Sequence, residues 1–490
     1  MLYLIMIIQK KMKMSRYRSL LLFILLWSFS VAFSQQPTDS LMQYLEIAAK
    51  NNPSVLQKYN EYQAAMQKVP QVGSLPDPEL SIGVFLSPME VLAGKQVADF
   101  RLMQMFPWFG VLKNGKDEMT LMAKANYESF RDAKLQVFFD VQRTWYDLQK
   151  LQQNIRISEK NIEILQTLER LSVIKFQASS STGSSQSSSS GNASSGSSQN
   201  ASSGSLGMNT MGGNAGATKT QSTSSMQSSS MGTSSGGSGL VDVYRVQIEI
   251  GDLENNVALL KNQQKTIVAR FNSYLNRSMK TPVSLPDSLK SDTLAYSLAL
   301  VSDSMLTNNP MLGMLQFEQQ SIDAKKKMVT RMGYPMVGVG LNYSLINKSE
   351  MSTSAMNGED MIMPMITVTL PIYRKKYKAM QSEADFKKTA TELGYKATAN
   401  SLQTDYYEAM QLFENAQLRI KLNDHQSELA QKSLDIMTKS FSASSANLSD
   451  LLRIRQQLLD YEFKKIEAIA DYNTSIAWLK RLMAVSEIKE

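Results

Sequence analysis

The sequence is written twice. Asn51-Asn52-Pro53 recurs as Asn308-Asn309-Pro310, 257 residues later. Pro78 and Pro335 keep that offset, and each opens a segment of alternating apolar and polar residues. Pro107 and Pro371 follow 264 residues apart, each closing a second alternating segment. Trp145-Tyr146-Asp147 corresponds to Tyr406-Tyr407-Glu408, and Phe176 to Phe441. Asp242-Val243-Tyr244-Arg245 corresponds to Asp450-Leu451-Leu452-Arg453, now at an offset of 208. The offset drops from 265 to 208 in one place, so the first half carries 57 extra residues there. A chain built this way folds as two like units, 35–276 and 297–490, joined by a linker over 277–296.

The extra residues fall within 178–239, a stretch made up mostly of Ser, Gly, Asn and Thr, with one charge, Lys219, and no aromatic residue. So little apolar surface cannot offset the entropy of ordering, and the composition predicts a disordered insertion over about 179–239.

Alternation predicts four strands, over about 78–88, 96–106, 335–346 and 361–371. Val337, Val339, Leu341, Tyr343 and Leu345 share one face, as do Leu80, Ile82 and Val84. Phe100, Leu102 and Phe106 oppose Asp99, Arg101 and Met103; Ile362, Ile366, Val368 and Leu370 oppose Met361, Met363, Thr367 and Thr369. Strands of about ten residues, apolar on one face only, suit a transmembrane β-barrel. The same alternation suits a layer of a soluble sandwich. Four strands are too few for a membrane barrel, whose smallest form has about eight. An open edge in lipid would leave backbone groups unsatisfied. If these strands cross a bilayer, several chains must therefore share one barrel, and three chains would supply twelve strands.

Each pair of strands precedes a very long helical stretch. Residues 109–178 and 374–440 contain no proline, and some 65–70 helical residues reach roughly 100 Å. The predicted helices run over about 109–178, 240–276, 374–441 and 448–484. Val243, Val246, Ile250, Leu253, Val257, Leu260, Ile267 and Phe271 recur by threes and fours, and Leu148, Leu151, Ile155, Ile162 and Leu165 provide a matching stripe. Such stripes make antiparallel coiled-coil partners.

Charge and composition remove several function classes. Of the formal charge of +8, five come from Lys10, Lys11, Lys13, Arg16 and Arg18, leaving +3, too little for a nucleic-acid surface. Those residues precede the apolar run 20–33, and Ala32-Phe33-Ser34 offers a cleavage site, so 1–34 reads as a secretory signal peptide. No cysteine is present, which excludes disulfides and thiolate metal sites. His425, the only histidine, lies among polar neighbours mid-helix, and no nucleophile–base pair can be assembled around it. Neither an enzyme nor a cofactor is expected. Methionine is abundant, at 31 residues. Met208, Met211, Met226 and Met231 lie in the Ser-rich stretch, and Met351, Met356, Met361, Met363 and Met365 gather around the fourth strand. Thioethers are soft ligands suited to Cu(I), and methionine also fills irregular gaps between helices.

Three short motifs stand in a distinctive order: the paired Asn-Asn-Pro, Leu75-Pro76-Asp77-Pro78 before the first strand, and Met105-Phe106-Pro107-Trp108-Phe109-Gly110 after the second. With the duplication they resemble the TolC family of outer-membrane efflux proteins, over roughly 40–490 apart from the Ser-rich stretch. The resemblance implies a mainly α fold with a β-barrel portion: a homotrimeric twelve-stranded barrel in outer-membrane lipid, continued by a periplasmic α-helical barrel. It implies a passive exit duct in the cell outer membrane, fed by an inner-membrane pump through a periplasmic adaptor. It also implies that the turns joining the long helices form the periplasmic entrance. Asp450 would then be an entrance residue and Asp242 its counterpart, with Arg453, Arg245 and Phe441 beside them. Arg453 replaces the family's second tip acid, Phe441 its aromatic hydroxyl, and Ala446 its latch arginine. In the first Asn447-capped turn, Asp450 also stabilises the helix start as an acid at N3. The Phe-Pro-Trp-Phe-Gly segment is similar to the metal-efflux branch, which would make the duct one for Cu(I) or Ag(I). A periplasmic coiled-coil scaffold that forms no channel is the other reading of the same helices.

Overall fold

The computed structural model describes residues 41–181, 238–293, 304–443 and 447–484. The segment 1–34 and all but the ends of 179–239 lie outside the described residues. Helix α1 (Leu41–Asn51) and α2 (Pro53–Gly73) lead into strands β1 (Glu79–Val91) and β2 (Gly94–Phe106). Long helix α3 (Val111–Ser181) and returning helix α4 (Ser238–Tyr274) complete the first half. The second half runs α5 (Pro310–Met332), β3 (Met336–Asn347), β4 (Met361–Thr369), α6 (Arg374–Ser442) and α7 (Leu448–Leu482). Helix thus extends into both ends of the predicted insertion, to Ser181 and from Ser238.

The duplicated Asn-Pro pairs do the same work twice. Asn52 takes an extended backbone, and Pro53 opens α2 at the position where a missing N–H costs nothing. The Asn52 Oδ1 accepts the backbone N–H groups of Ser54 at 2.9 Å and Val55 at 3.3 Å. Its Nδ2 donates to the Tyr274 carbonyl at 2.8 Å, tying the start of α2 to the end of α4. In the second half Asn309 Oδ1 accepts from Met311 N at 2.9 Å, and Nδ2 donates to the Leu482 carbonyl at the end of α7. Both asparagines are buried.

Around each tie lies a core. The first packs Tyr44, Val55, Val141, Trp145, Phe271 and Leu275, with Tyr44 edge-on to Phe271 at 5.0 Å and 5.3 Å from Trp145. The second packs Met305, Leu312, Leu402, Ala409, Leu479 and Met483. Val55 and Leu312 stand 257 residues apart, and Phe271 and Leu479 stand 208 apart. The offsets are those of the sequence repeat. Burying each large apolar side chain stabilises the fold by roughly 1.5–3 kcal/mol, so the aromatic first core is the heavier anchor.

The strands form one antiparallel sheet in the order β1-β2-β3-β4. Its register sorts the side chains cleanly. Leu80, Leu102, Leu341 and Pro364 stand in one row, and Ile82, Phe100, Tyr343 and Ile362 in the next. The opposite face carries rows of Ser81, Arg101, Asn342 and Met363, and of Gly83, Asp99, Ser344 and Met361. Proline occurs within the sheet only at Pro88 and Pro364, both on edge strands, where a missing donor is tolerated. The β1 register shifts between Val84 and Met89, the stretch holding Pro88. Leu92 and Ala93 turn the chain back, with Gly94 at φ +131°, a conformation open to glycine.

The described residues form two compact units. One comprises 41–157, 258–293, 304–436 and 454–484; the other comprises 158–181, 238–257, 437–443 and 447–453. The first holds the sheet and both cores. The second holds the helix tips, where Leu165 and Leu168 of α3 and Val243, Val246, Ile250 and Leu253 of α4 are buried. No helix among the described residues is long and apolar enough to cross a membrane.

Candidate functional site

Two parts of the molecule carry features that a packed soluble domain does not need. The first is the apolar face of the sheet. Leu80, Ile82 and Val84 are about three-fifths exposed or more, and Ile366 is 76% exposed. Leu102, Val339, Leu341, Ile362 and Val368 are exposed beside them. An uncovered apolar face of this extent requires a partner or a lipid phase. The polar face is the better covered one, with Asn342 and Ser344 buried under the longer side chains of their rows. At the helix-proximal end of the sheet Trp108 stacks on Tyr334 at 5.4 Å and lies edge-on to Phe109, which is 86% exposed; Tyr373, between β4 and α6, is 85% exposed. Aromatic residues bordering an apolar band are the pattern of a membrane interface.

The second part is the cluster of helix tips, which holds every predicted entrance residue. Phe441, near the end of α6, is buried, whereas its counterpart Phe176 is 38% exposed. Lys175 of α3 places its ammonium 4.7 Å from the centre of the Phe441 ring. Arg245 of α4 donates from Nη1 to Ser449 Oγ at the start of α7. One contact joins α3 to α6 and the other joins α4 to α7, so each links the two halves of the chain. Gln247 Nε2 donates to Glu169 Oε1 at 2.7 Å, joining α4 to α3 within the first half.

The two tip acids stand in different surroundings. Asp450 lies in the first turn of α7, and Arg453 donates to its Oδ1 at 3.3 Å from one turn further on. Both side chains are well exposed, so the pair is worth at most about 1 kcal/mol. Asp242 is half-buried, and that burial raises its pKa above the ordinary carboxylate value against the pull of Arg245 and Lys175. The structure therefore brings Asp450 to Arg453 and Arg245 to Ser449, with Lys175 on Phe441. Lys175 and Ser449 have no motif of their own. Their only sequence signal is adjacency to Phe176 and Asp450, the residues that mark the two tips.

The polar and cation–π contacts at the tip are individually weak. A cation–π contact contributes about 0.5–1 kcal/mol at exposed sites, and exposed polar pairs contribute no more. Among the described residues no group of three or more His, Cys, Asp or Glu side chains is placed to hold a metal ion. Met208, Met211, Met226 and Met231 lie outside the described residues.

No protein-family model matches the sequence, and no curated protein matches it. Solved structures do. Over 91% of this chain and 92% of the other, the fold superposes on CusC, a protein whose structures bear on transmembrane channel formation, with a TM-score of 0.67 and 12% identity. The outer-membrane protein VceC of Vibrio cholerae matches over 91% and 96% of the two chains, at a TM-score of 0.64 and 11% identity. The open state of the MtrE outer-membrane channel of Neisseria gonorrhoeae matches over 91% and 88%, at 0.61 and 13%. Along nine-tenths of its length the chain thus has the fold of outer-membrane channels, the fold that its resemblance to the TolC family implied.

Proposed function

We propose that this chain is one protomer of an outer-membrane efflux duct, which passes solutes and catalyses no reaction. One observation carries the reading: a four-stranded sheet with an exposed apolar face, an opposite face that bears Ser81, Asp99, Arg101, Asn342 and Ser344, and two edges unpaired among the described residues of the single chain. Lipid accounts for the first, a water-filled interior for the second, and pairing of β1 with β4 of the next copy for the third. Three copies give twelve strands, an even number wide enough for a pore. The long helices then continue the barrel into the periplasm, and the tip cluster of Lys175, Asp242, Arg245, Phe441, Asp450 and Arg453 forms the entrance. A periplasmic adaptor and an inner-membrane pump deliver the solute and supply the energy.

The test is to express the full chain, fractionate the membranes and measure the mass of the detergent-solubilised protein. Outer-membrane location, three copies and single-channel conductance in planar bilayers are expected. A stable monomer in the soluble periplasmic fraction would replace the duct with a coiled-coil scaffold.

A further inference from the structure

The polar face of the sheet is unexpectedly rich in sulphur. Register places Met103, Gly340 and Met365 in one row and Met105, Gly338 and Thr367 in the neighbouring one. Met363 and Met361 follow on the same face, in the rows of Asn342 and Ser344. Alternate residues of a strand lie about 6.6–6.8 Å apart, so Met361, Met363 and Met365 form a ladder of evenly spaced thioethers along β4. Met103 and Met105 form a second ladder on β2.

Between the ladders β3 contributes no bulk. A Cβ added at Gly338 would meet the Met105 Sδ at 2.5 Å, and one at Gly340 would meet the Met103 Cε at 3.5 Å. The β2 thioethers therefore lie down over bare β3 backbone, toward Met365 on the far side. Beside this trough Asn342 is 91% buried, being 9% exposed, and its Oδ1 has no hydrogen-bond partner in the chain. It stands between Arg101 and Met363 in its row. Five methionines are unusual for the inner face of a membrane barrel, which meets water and is ordinarily polar.

We propose that this strip binds a soft monovalent cation, Cu(I) or Ag(I), as a stopping place along the duct; the placement inside a lumen rests on the duct reading above. Thioethers prefer such ions to hard divalent cations. Binding is ligand exchange: sulphur lone pairs displace water from the ion, and no electron or proton is transferred. Asp99 on the same face offsets the charge of Arg101, and several weak sulphur sites in succession let an ion enter without trapping it.

The experiment uses the purified full chain in detergent and a chloride-free nitrate buffer, titrated calorimetrically with silver nitrate. The comparison protein carries Leu at positions 103, 105, 361, 363 and 365, since Met and Leu are close in volume and exchange at little cost. Methionines elsewhere contribute equally to both. Ag(I) binding to the substituted protein should be about tenfold weaker or lose its tight phase. Superimposable isotherms would overturn the proposal. Should the fivefold variant fail to assemble, the pair Met103→Leu and Met365→Leu is read the same way. In planar bilayers with potassium nitrate, Ag(I) should reduce the wild-type current and spare the variant; equal block of both also overturns the proposal. Absence of any current in nitrate alone would sink the duct reading, and calorimetry would still decide the thioether site.

Discussion

Asn52 donates its side-chain amide to the Tyr274 carbonyl oxygen at 2.8 Å while its Oδ1 caps helix α2. One buried side chain thus ends one helix and starts another, 222 residues apart in sequence. Asn52→Ala removes the cap, worth about 1 kcal/mol within a range of 0.5–2, and leaves a carbonyl without its partner. Asn309 does the same for Leu482 across a longer 3.4 Å contact. Thermal unfolding in detergent should therefore show a larger loss for Asn52→Ala than for Asn309→Ala. Equal losses would show that only the caps matter and the ties contribute nothing.

The tip should open when two of the links between the halves are cut. Lys175→Ala removes the cation from the Phe441 ring, and Arg245→Ala removes the donor to Ser449. Each contact is worth about 1 kcal/mol or less, so neither variant should unfold the protein. Together they should raise the open fraction of single channels several-fold, since 1.4 kcal/mol is about a factor of ten in an equilibrium. Open fractions indistinguishable from wild type would mean that the tip does not gate.

Asp242 gives the tip a pH dependence of a defined sign. Burial raises its folded pKa above the ordinary value of 3.8, although Arg245 and Lys175 pull the other way. Its protonated form is therefore the one that folding favours. The stabilisation is fully present below 3.8 and is lost as pH climbs through the raised folded value. Hydrogen exchange in 238–257, corrected for the intrinsic rate, should be slower near pH 4 than near pH 7. Asp242→Asn should hold the slow rate at both. A wild-type tip that loosens on acidification would contradict the assignment.

The sheet was legible in the sequence because its period leaves no freedom: alternate residues must face opposite sides. Val337, Val339 and Leu341 are exposed together, and Asn342 and Ser344 are buried together. The two-residue turn at Leu92-Ala93 was harder to see. It relies on the backbone of Gly94 rather than on a turn dipeptide, and β1 consequently runs on past Pro88 to Val91. At the tip, the family resemblance implied that Asp242, Arg245, Phe441, Asp450 and Arg453 lie together but could not say who touches whom. Asp450–Arg453 is a local pair, set by helical spacing. Lys175–Phe441 and Arg245–Ser449 depend on how four helices meet, which no spacing encodes. Aligning the halves also makes Asp242 and Asp450 equivalent, yet burial raises the pKa of Asp242, while Arg453 donates a hydrogen bond to Asp450. That difference arises from packing alone.

The two faces of the sheet should respond oppositely to charge. Leu102 shares its row with Leu80, Leu341 and Pro364, and is 49% exposed in the single chain. In a soluble protein a lysine at such a place changes stability by about 0.5 kcal/mol or less. In a membrane barrel the same residue faces hydrocarbon, where lysine costs about 2–4 kcal/mol near the midplane. Leu102→Lys should therefore abolish or sharply reduce assembly in the outer membrane. Met363→Lys puts the same charge on the opposite face, in the row of Arg101 and Asn342. There the ammonium meets water, so the barrel should assemble and the channel should shift toward anions at low salt. Quantifying assembled protein in outer-membrane fractions, then reversal potentials for the second variant, checks both. If Leu102→Lys assembles as well as wild type, the exposed apolar face does not meet lipid, and the soluble-sheet reading of the alternation regains its place.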